Sequence, residues 1–142
     1  MKRLGWAAVL VGVFAAGFGT RGILPGEPVA HAQAANRVYE LRTYVTPDDK
    51  FAALNARFRD HTIRIFNKHG MTSVGYFVPQ DDIKKKDTLV YLLQHPSRAA
   101  ADENWKKFGS DPEWTKVAAD SGVGRVIVTR EFLDPTDYSP MK

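Results

Sequence analysis

The sequence predicts an α+β domain of ferredoxin-like type, in the order β-α-β-β-α-β, with its helices laid over one face of a four-stranded antiparallel sheet. Three observations carry that prediction. Four runs of strand length, at 37–45, 71–79, 88–95 and 125–133, either alternate apolar and polar residues or are continuously apolar. Helical segments with capping signals separate the first run from the second and the third from the fourth. Leu89 to Leu93 is unbroken apolar sequence, as expected of a strand covered on both faces. The helices can cover only one of those faces. A second copy of the sheet is the simplest cover for the other, so a homodimer is expected.

Each element has its own signal. RVYELRTYV (37–45) places Val38, Glu40, Arg42 and Tyr44 on one face and Tyr39, Leu41, Thr43 and Val45 on the other. Thr46-Pro47-Asp48 reads as a helix start, and Gly70 as the left-handed stop after Lys68 or His69. MTSVGYFVP (71–79) is the second strand and QDDIKKKD a solvated turn region, its lysines offset by Asp81, Asp82 and Asp87. TLVYLLQH (88–95) is the third strand. Ser97 caps the alanine-rich helix that follows, and Ser110 or Asp111, with Pro112 in the first turn, opens another helical segment. Gly122-Val123-Gly124 is a turn into RVIVTREFL (125–133), and the DPTDYSPMK tail has no periodicity.

The chain has 142 residues, 44% hydrophobic and 11% aromatic, enough for one domain with a real core. Its formal charge is +4, but Lys2, Arg3 and Arg21 face only Glu27 in the first 32 residues, and the remainder carries +2. That is no electrostatic footprint for nucleic acid. With no cysteine there are no disulfides, thiolate metal sites or cysteine nucleophile. The N-terminus joins a basic MKR to the apolar run LGWAAVLVGVFAAGFG, and AHA and AQA offer cleavage after Ala32 or Ala34. Residues 1–34 are therefore expected to be a bacterial-type secretion signal and processing region, giving a periplasmic or extracellular protein. Retention as an N-terminal anchor is the alternative, although the run falls short of the roughly 20 residues a spanning helix needs.

The candidate chemistry centres on HTIRIFNKHGM (61–71). On a wheel of 100° per residue, Phe51, Leu54, Phe58, Ile65 and Phe66 form one stripe. His61 and His69 fall inside it, with Asn55 and Thr62 at its edge. Arg57, Arg59, Asp60, Arg64, Asn67 and Lys68 fall outside, towards solvent. The two histidines are thus expected to face the sheet. Eight residues, or ~12 Å of rise, keep them from sharing one metal, and no metal site is predicted. His69 either interacts with the end of its helix or meets His95 at one edge of the sheet, near Asp134 and Asp137. His61 is either a satisfied core residue or the lining of a helix–sheet cleft. Glu40 and Arg42 share a strand face and are either a structural pair or polar lining of that cleft. Trp105, Phe108 and Trp114 have the spacing of packing residues.

These segments together resemble the NIPSNAP family. The resemblance lies in VYELRTY (38–44), HTIRIFNKHGM followed by VGYF (74–77), DTLVYLLQHPSRAAADENWKKFGSDPEW (87–114), and EFL (131–133) with DYSP (137–140). It covers Arg37 to Pro140, with Phe77 where the family often has tryptophan. The resemblance implies a dimeric α/β barrel, a superfamily that includes haem-degrading and cofactor-independent monooxygenases, isomerases and cyclases. The NIPSNAP branch carries no agreed reaction, and no cofactor is specified. Three functional readings follow. The first is a homodimer binding a small, partly apolar ligand, its polar end held by Arg42, His61 and Glu40, with Tyr44 or Tyr76 stacking on it and His69 a further candidate. The second is a monooxygenase- or isomerase-type enzyme with His61 as general base, haem ligation by His61 or His69 being a sub-case. The third is a structural or partner-binding module whose cleft is filled by Phe51, Phe58 and Phe66.

Overall fold

A computed structural model of the chain describes residues 37–47 and 49–141. The signal-like segment 1–34 lies outside the described residues. The elements are β1 (Val38–Val45), α1 (Phe51–Arg57), a π-helical turn (Phe58–Thr62), α2 (Ile63–Lys68), β2 (Thr72–Phe77), a short 3-10 turn (Lys84–Lys86), β3 (Thr88–His95), α3 (Arg98–Gly109), α4 (Pro112–Asp120) and β4 (Ile127–Leu133). The sheet order is β2-β3-β1-β4 and every neighbouring pair is antiparallel. Both central strands are therefore hydrogen-bonded on each edge, and side chains two apart on them must share a face.

That alternation sorts the sheet. Arg42 pairs with Tyr91 and Glu40 with Leu93 across β1 and β3, and these side chains meet the helices. Leu41, Thr43, Leu92 and Val90 fall on the opposite face. The buried core lies between sheet and helices: Leu54, Phe58, Ile65, Phe66, Met71, Leu89, Tyr91, Leu93, Phe108 and Val123. Each such side chain contributes about 1.5–3 kcal/mol on burial. Much of the core is aromatic and edge-on. Phe58 meets Tyr91 at 5.2 Å, Tyr76 at 5.7 Å and Tyr44 at 5.9 Å between ring centroids, all within the favourable range for T-shaped pairs.

Local signals account for most boundaries. Ser97 Oγ accepts the Ala100 N–H at 3.1 Å, and Asp111 Oδ1 accepts the Glu113 N–H at 2.8 Å beside Pro112. Thr46 does not cap α1. Its N–H and hydroxyl both donate to the Asp87 carbonyl, at 2.9 and 3.1 Å. The residue thus ties the end of β1 to the start of β3, and the helix begins only at Phe51. Gly70 takes φ 75°, and the Met71 N–H returns to the Phe66 carbonyl at 3.0 Å. A side chain there would be strained by its backbone, and its Cβ would lie 3.3 Å from Asn104 Nδ2. Gly70→Ala should therefore cost about 1–2 kcal/mol, read as a lower urea midpoint. An unchanged midpoint would contradict this account of the stop.

Candidate functional site

A buried carboxylate organises the helix–sheet interface. Glu40 is fully enclosed. Its Oε1 accepts from Arg42 Nη1 at 2.6 Å, and its Oε2 accepts from His95 Nε2 at 3.0 Å and Trp105 Nε1 at 2.5 Å. The fold makes this meeting unavoidable. Arg42 is two residues along the same strand face, His95 sits opposite Val38 on β3, and α3 lowers Trp105 onto both. Burial alone would raise the Glu40 carboxyl, but the hydrogen bonds from His95, Trp105 and Arg42 outweigh it and hold the group below its ordinary range. The structural-pair reading of Glu40 and Arg42 is the one the geometry realises.

Arg42 is the second layer. Its guanidinium lies 4.0 Å from the centroid of the Trp105 ring, and its Nη2 is 3.5 Å from the Tyr44 hydroxyl. Burial would weaken its charge, yet Tyr91, Tyr44 and Glu40 together push its titration upward, so it remains a cation. Tyr44 meets Tyr91 edge-on at 5.2 Å. The Tyr91 hydroxyl is buried beside Tyr44, and burial raises it well above the ordinary phenol range.

The helix over this network departs from the expected wheel. Across Phe58–Thr62 the backbone forms a π turn, which inserts extra rotation, and Thr62 Oγ1 donates to the Arg57 carbonyl five residues back at 3.1 Å. Thr62 therefore takes the inward position, and His61, expected to face the sheet, is exposed. Arg57, expected in solvent, is buried at 6% exposure. Its guanidinium sits 5.1 Å from the Trp114 centroid, its Nη1 is 3.4 Å from Ser121 Oγ, and its Nε has no partner. Burial lowers its titration, opposed only in part by Tyr44 and Tyr91.

His61, Arg57 and Ser121 line one groove between α1 and α4, about 670 Å³ in volume, with Ala53, Ala56 and Val117 among its walls. Glu40 and Arg42 do not line it. His61 thus belongs to a different surface from the network it was expected to join. Tyr76 lines a separate cleft of about 240 Å³ with Phe58 and Ile63, and its hydroxyl is held by Ser73 Oγ at 2.6 Å. His69 and His95 do not pair. His69 Nε2 lies 2.6 Å from Asp111 Oδ2, beside Lys68 Nζ at 2.7 Å, and joins the end of α2 to the start of α4, whereas His95 is given to Glu40. Asp111 engages His69 Nε2, and His61 stands on the surface. Among the described residues, no group of three or more acids and histidines could hold a metal ion, and no helix is long and apolar enough to cross a membrane.

The fold is ferredoxin-like: one four-stranded antiparallel sheet with helices on a single face. A NIPSNAP family model matches residues 39–140, and the chain belongs to the NIPSNAP family. Among solved structures it is similar to a NIPSNAP family protein of unknown function from Agrobacterium tumefaciens, with 22% identity, a TM-score of 0.65, and 76% of this chain and 96% of that one covered. An uncharacterised NIPSNAP-like domain protein from Burkholderia xenovorans gives 19% identity and a TM-score of 0.64 over 75% and 90% of the two chains. SnoaB, a cofactor-independent oxygenase from Streptomyces nogalater, gives 12% identity and a TM-score of 0.52 over 75% and 99%. No curated protein matches.

Because the Glu40 carboxyl lies below its ordinary value of 4.5, its bonded anion stabilises the fold fully above that pH. The contribution is lost as pH falls through the lowered value. Asp111, held low first by Lys68 and then by His69, acts in the same sense. Glu40→Gln should therefore be less stable than the parent at neutral pH, and the gap should narrow on acidification from about pH 5 to about pH 3. Thermal melts across that window check it, and a gap independent of pH would contradict it.

Proposed function

We propose that the protein is an exported homodimer that binds a small, partly apolar molecule in the groove between α1 and α4. The groove is the observation that carries the reading. Its 670 Å³ falls within the roughly 300–1,000 Å³ usual for small-ligand sites. Ala53, Ala56 and Val117 offer an apolar bed, while Arg57, His61, Arg64 and Lys116, together with the carboxylates of Asp60, Glu113 and Asp120, supply polar contacts around it. Phe58 and Phe66 are buried within the helix–sheet space and Phe51 is half-buried at its margin, so the groove, rather than a deep cavity, is the accessible part. Glu40 and Arg42 then act from behind, fixing Tyr44 and the sheet.

The homodimer is supported by the open sheet face. Leu92 and Val90 lie there by register, and Phe77 and Ile127 are 56% and 71% exposed. Apolar surface of this kind is normally covered. Export is supported by the basic start and the apolar run ahead of Ala32 and Ala34.

A second reading, an oxygenase- or isomerase-type enzyme, draws on the shared fold with SnoaB and on His61 at the groove. His61 would act there as an exposed imidazole at the groove wall.

Neutral benzyl alcohol titrated into methyl-labelled protein should move the Ala53, Ala56 and Val117 resonances selectively, and shifts confined to other methyls would contradict the groove. Native mass spectrometry of the protein from an exporting host should show a dimer, whereas a monomer would remove the second copy as the cover of the sheet.

A further inference from the structure

Three buried side-chain nitrogens have no hydrogen-bond partner among the described residues: Arg42 Nε, Arg57 Nε and His95 Nδ1. Buried polar groups are nearly always satisfied, so orphans mark places where something else is bound. Two of these three are guanidinium donors. Arg42 Nη2 approaches the Tyr44 hydroxyl, whereas Arg57 lines the groove between α1 and α4. Both carry an N–H, so what they lack is an acceptor.

The charges point the same way. Glu40 neutralises Arg42 through a 2.6 Å pair. Arg57 forms no ion pair with a described carboxylate, although acids are close in the fold. Glu113 is bound to Arg64 and Lys68, Asp120 to Lys116, and Asp111 to Lys68 and His69. Asp60, one turn beyond Arg57, is exposed and makes no ion pair with it. The interior around Arg57 is left with one uncompensated positive charge, held over the face of Trp114. A buried charge in that condition is costly unless a counter-ion arrives.

Resting on the groove as a ligand site, we propose that Arg57 forms an anion-recognition subsite for a small organic carboxylate whose apolar body lies along Ala53, Ala56 and Val117. Arg57 fits this role because it lines the groove and is also buried. A planar guanidinium presents parallel N–H donors to a carboxylate, where a lysine would offer only a point charge. Ser121 Oγ accepts from Arg57 Nη1 at 3.4 Å and donates to the Ala118 carbonyl at 2.9 Å, which positions the guanidinium. The alanine and valine walls select an aryl or short alkyl body rather than a polyol.

The test compares benzoate with its neutral amide, benzamide, on the full chain by isothermal titration calorimetry and methyl NMR. Benzoate should bind at least about tenfold more tightly than benzamide, the discrimination of a charged hydrogen bond, and both should move the Ala53, Ala56 and Val117 methyls. Arg57→Met should remove the preference while leaving the weak benzamide shifts. Arg57→Lys, which keeps the charge but loses the fork, should retain only part of it. Equal binding of benzoate and benzamide in the parent protein would overturn the anion subsite and leave the groove reading intact. Binding of neither would overturn both. A preference for benzoate that survives intact in Arg57→Met would also overturn it. The parent comparison requires no variant, so it decides even if Arg57→Met fails to fold.

Discussion

The Glu40 carboxylate is the constraint around which the structure is arranged. A fully buried carboxylate on a central strand of a four-stranded sheet is tolerable only when its lone pairs are met. Here β1 supplies Arg42, β3 supplies His95 and α3 supplies Trp105. One side chain therefore sets the register of the central strands and the height of α3 above them. Trp105 then lies flat against Arg42, and Arg42 reaches Tyr44. Removing Glu40 would leave Arg42, His95 and Trp105 short of an acceptor, and removing Arg42 would leave Glu40 Oε1 without its donor.

That network also explains how a site can form over a filled core. Phe58, Phe66 and Tyr91 occupy the middle of the helix–sheet space, but the π turn that carries Phe58 rotates Arg57 inward next to them. A π turn inside an α-helix is uncommon and is found often at functional positions. Here its consequence is specific. It buries a second guanidinium, and Glu40 neutralises only Arg42. The groove between α1 and α4 opens at that uncompensated charge. His69, Lys68 and Asp111 pin the far end of α2 to the start of α4, which fixes the walls of the groove without lining it.

Much of the fold was legible because its signals are local. Thr88–His95 was readable end to end as a strand, Ser97 and Asp111 as caps, and Gly70 as a stop, since each depends only on neighbours in sequence. The order of elements fixed the topology through chain connectivity. The site was less legible. Glu40 and Arg42 were visible as a shared strand face, but Trp105 and Tyr91 joined them only through the β1–β3 register and the placement of α3. The wheel failed at His61 and Arg57 because a uniform 100° step cannot anticipate a π turn, which depends on how Phe58 and Thr62 settle against the sheet. One signal was present: Thr62, at the edge of the apolar stripe, is the residue that took the inward place. Thr46 misled for a related reason, since its donors were claimed by Asp87, 41 residues away.

The most direct test of the central claim is a double-mutant cycle between Glu40 and Arg42, with unfolding free energies taken from urea denaturation at neutral pH. If the carboxylate and guanidinium compensate one another in the interior, Glu40→Gln and Arg42→Met should each cost about 3–5 kcal/mol, because each leaves a buried charge unpaired. The double variant should then cost less than the sum of the two by more than about 1 kcal/mol. Costs that add to within about 0.5 kcal/mol would show that the two groups do not depend on one another, and would contradict an interior organised around Glu40.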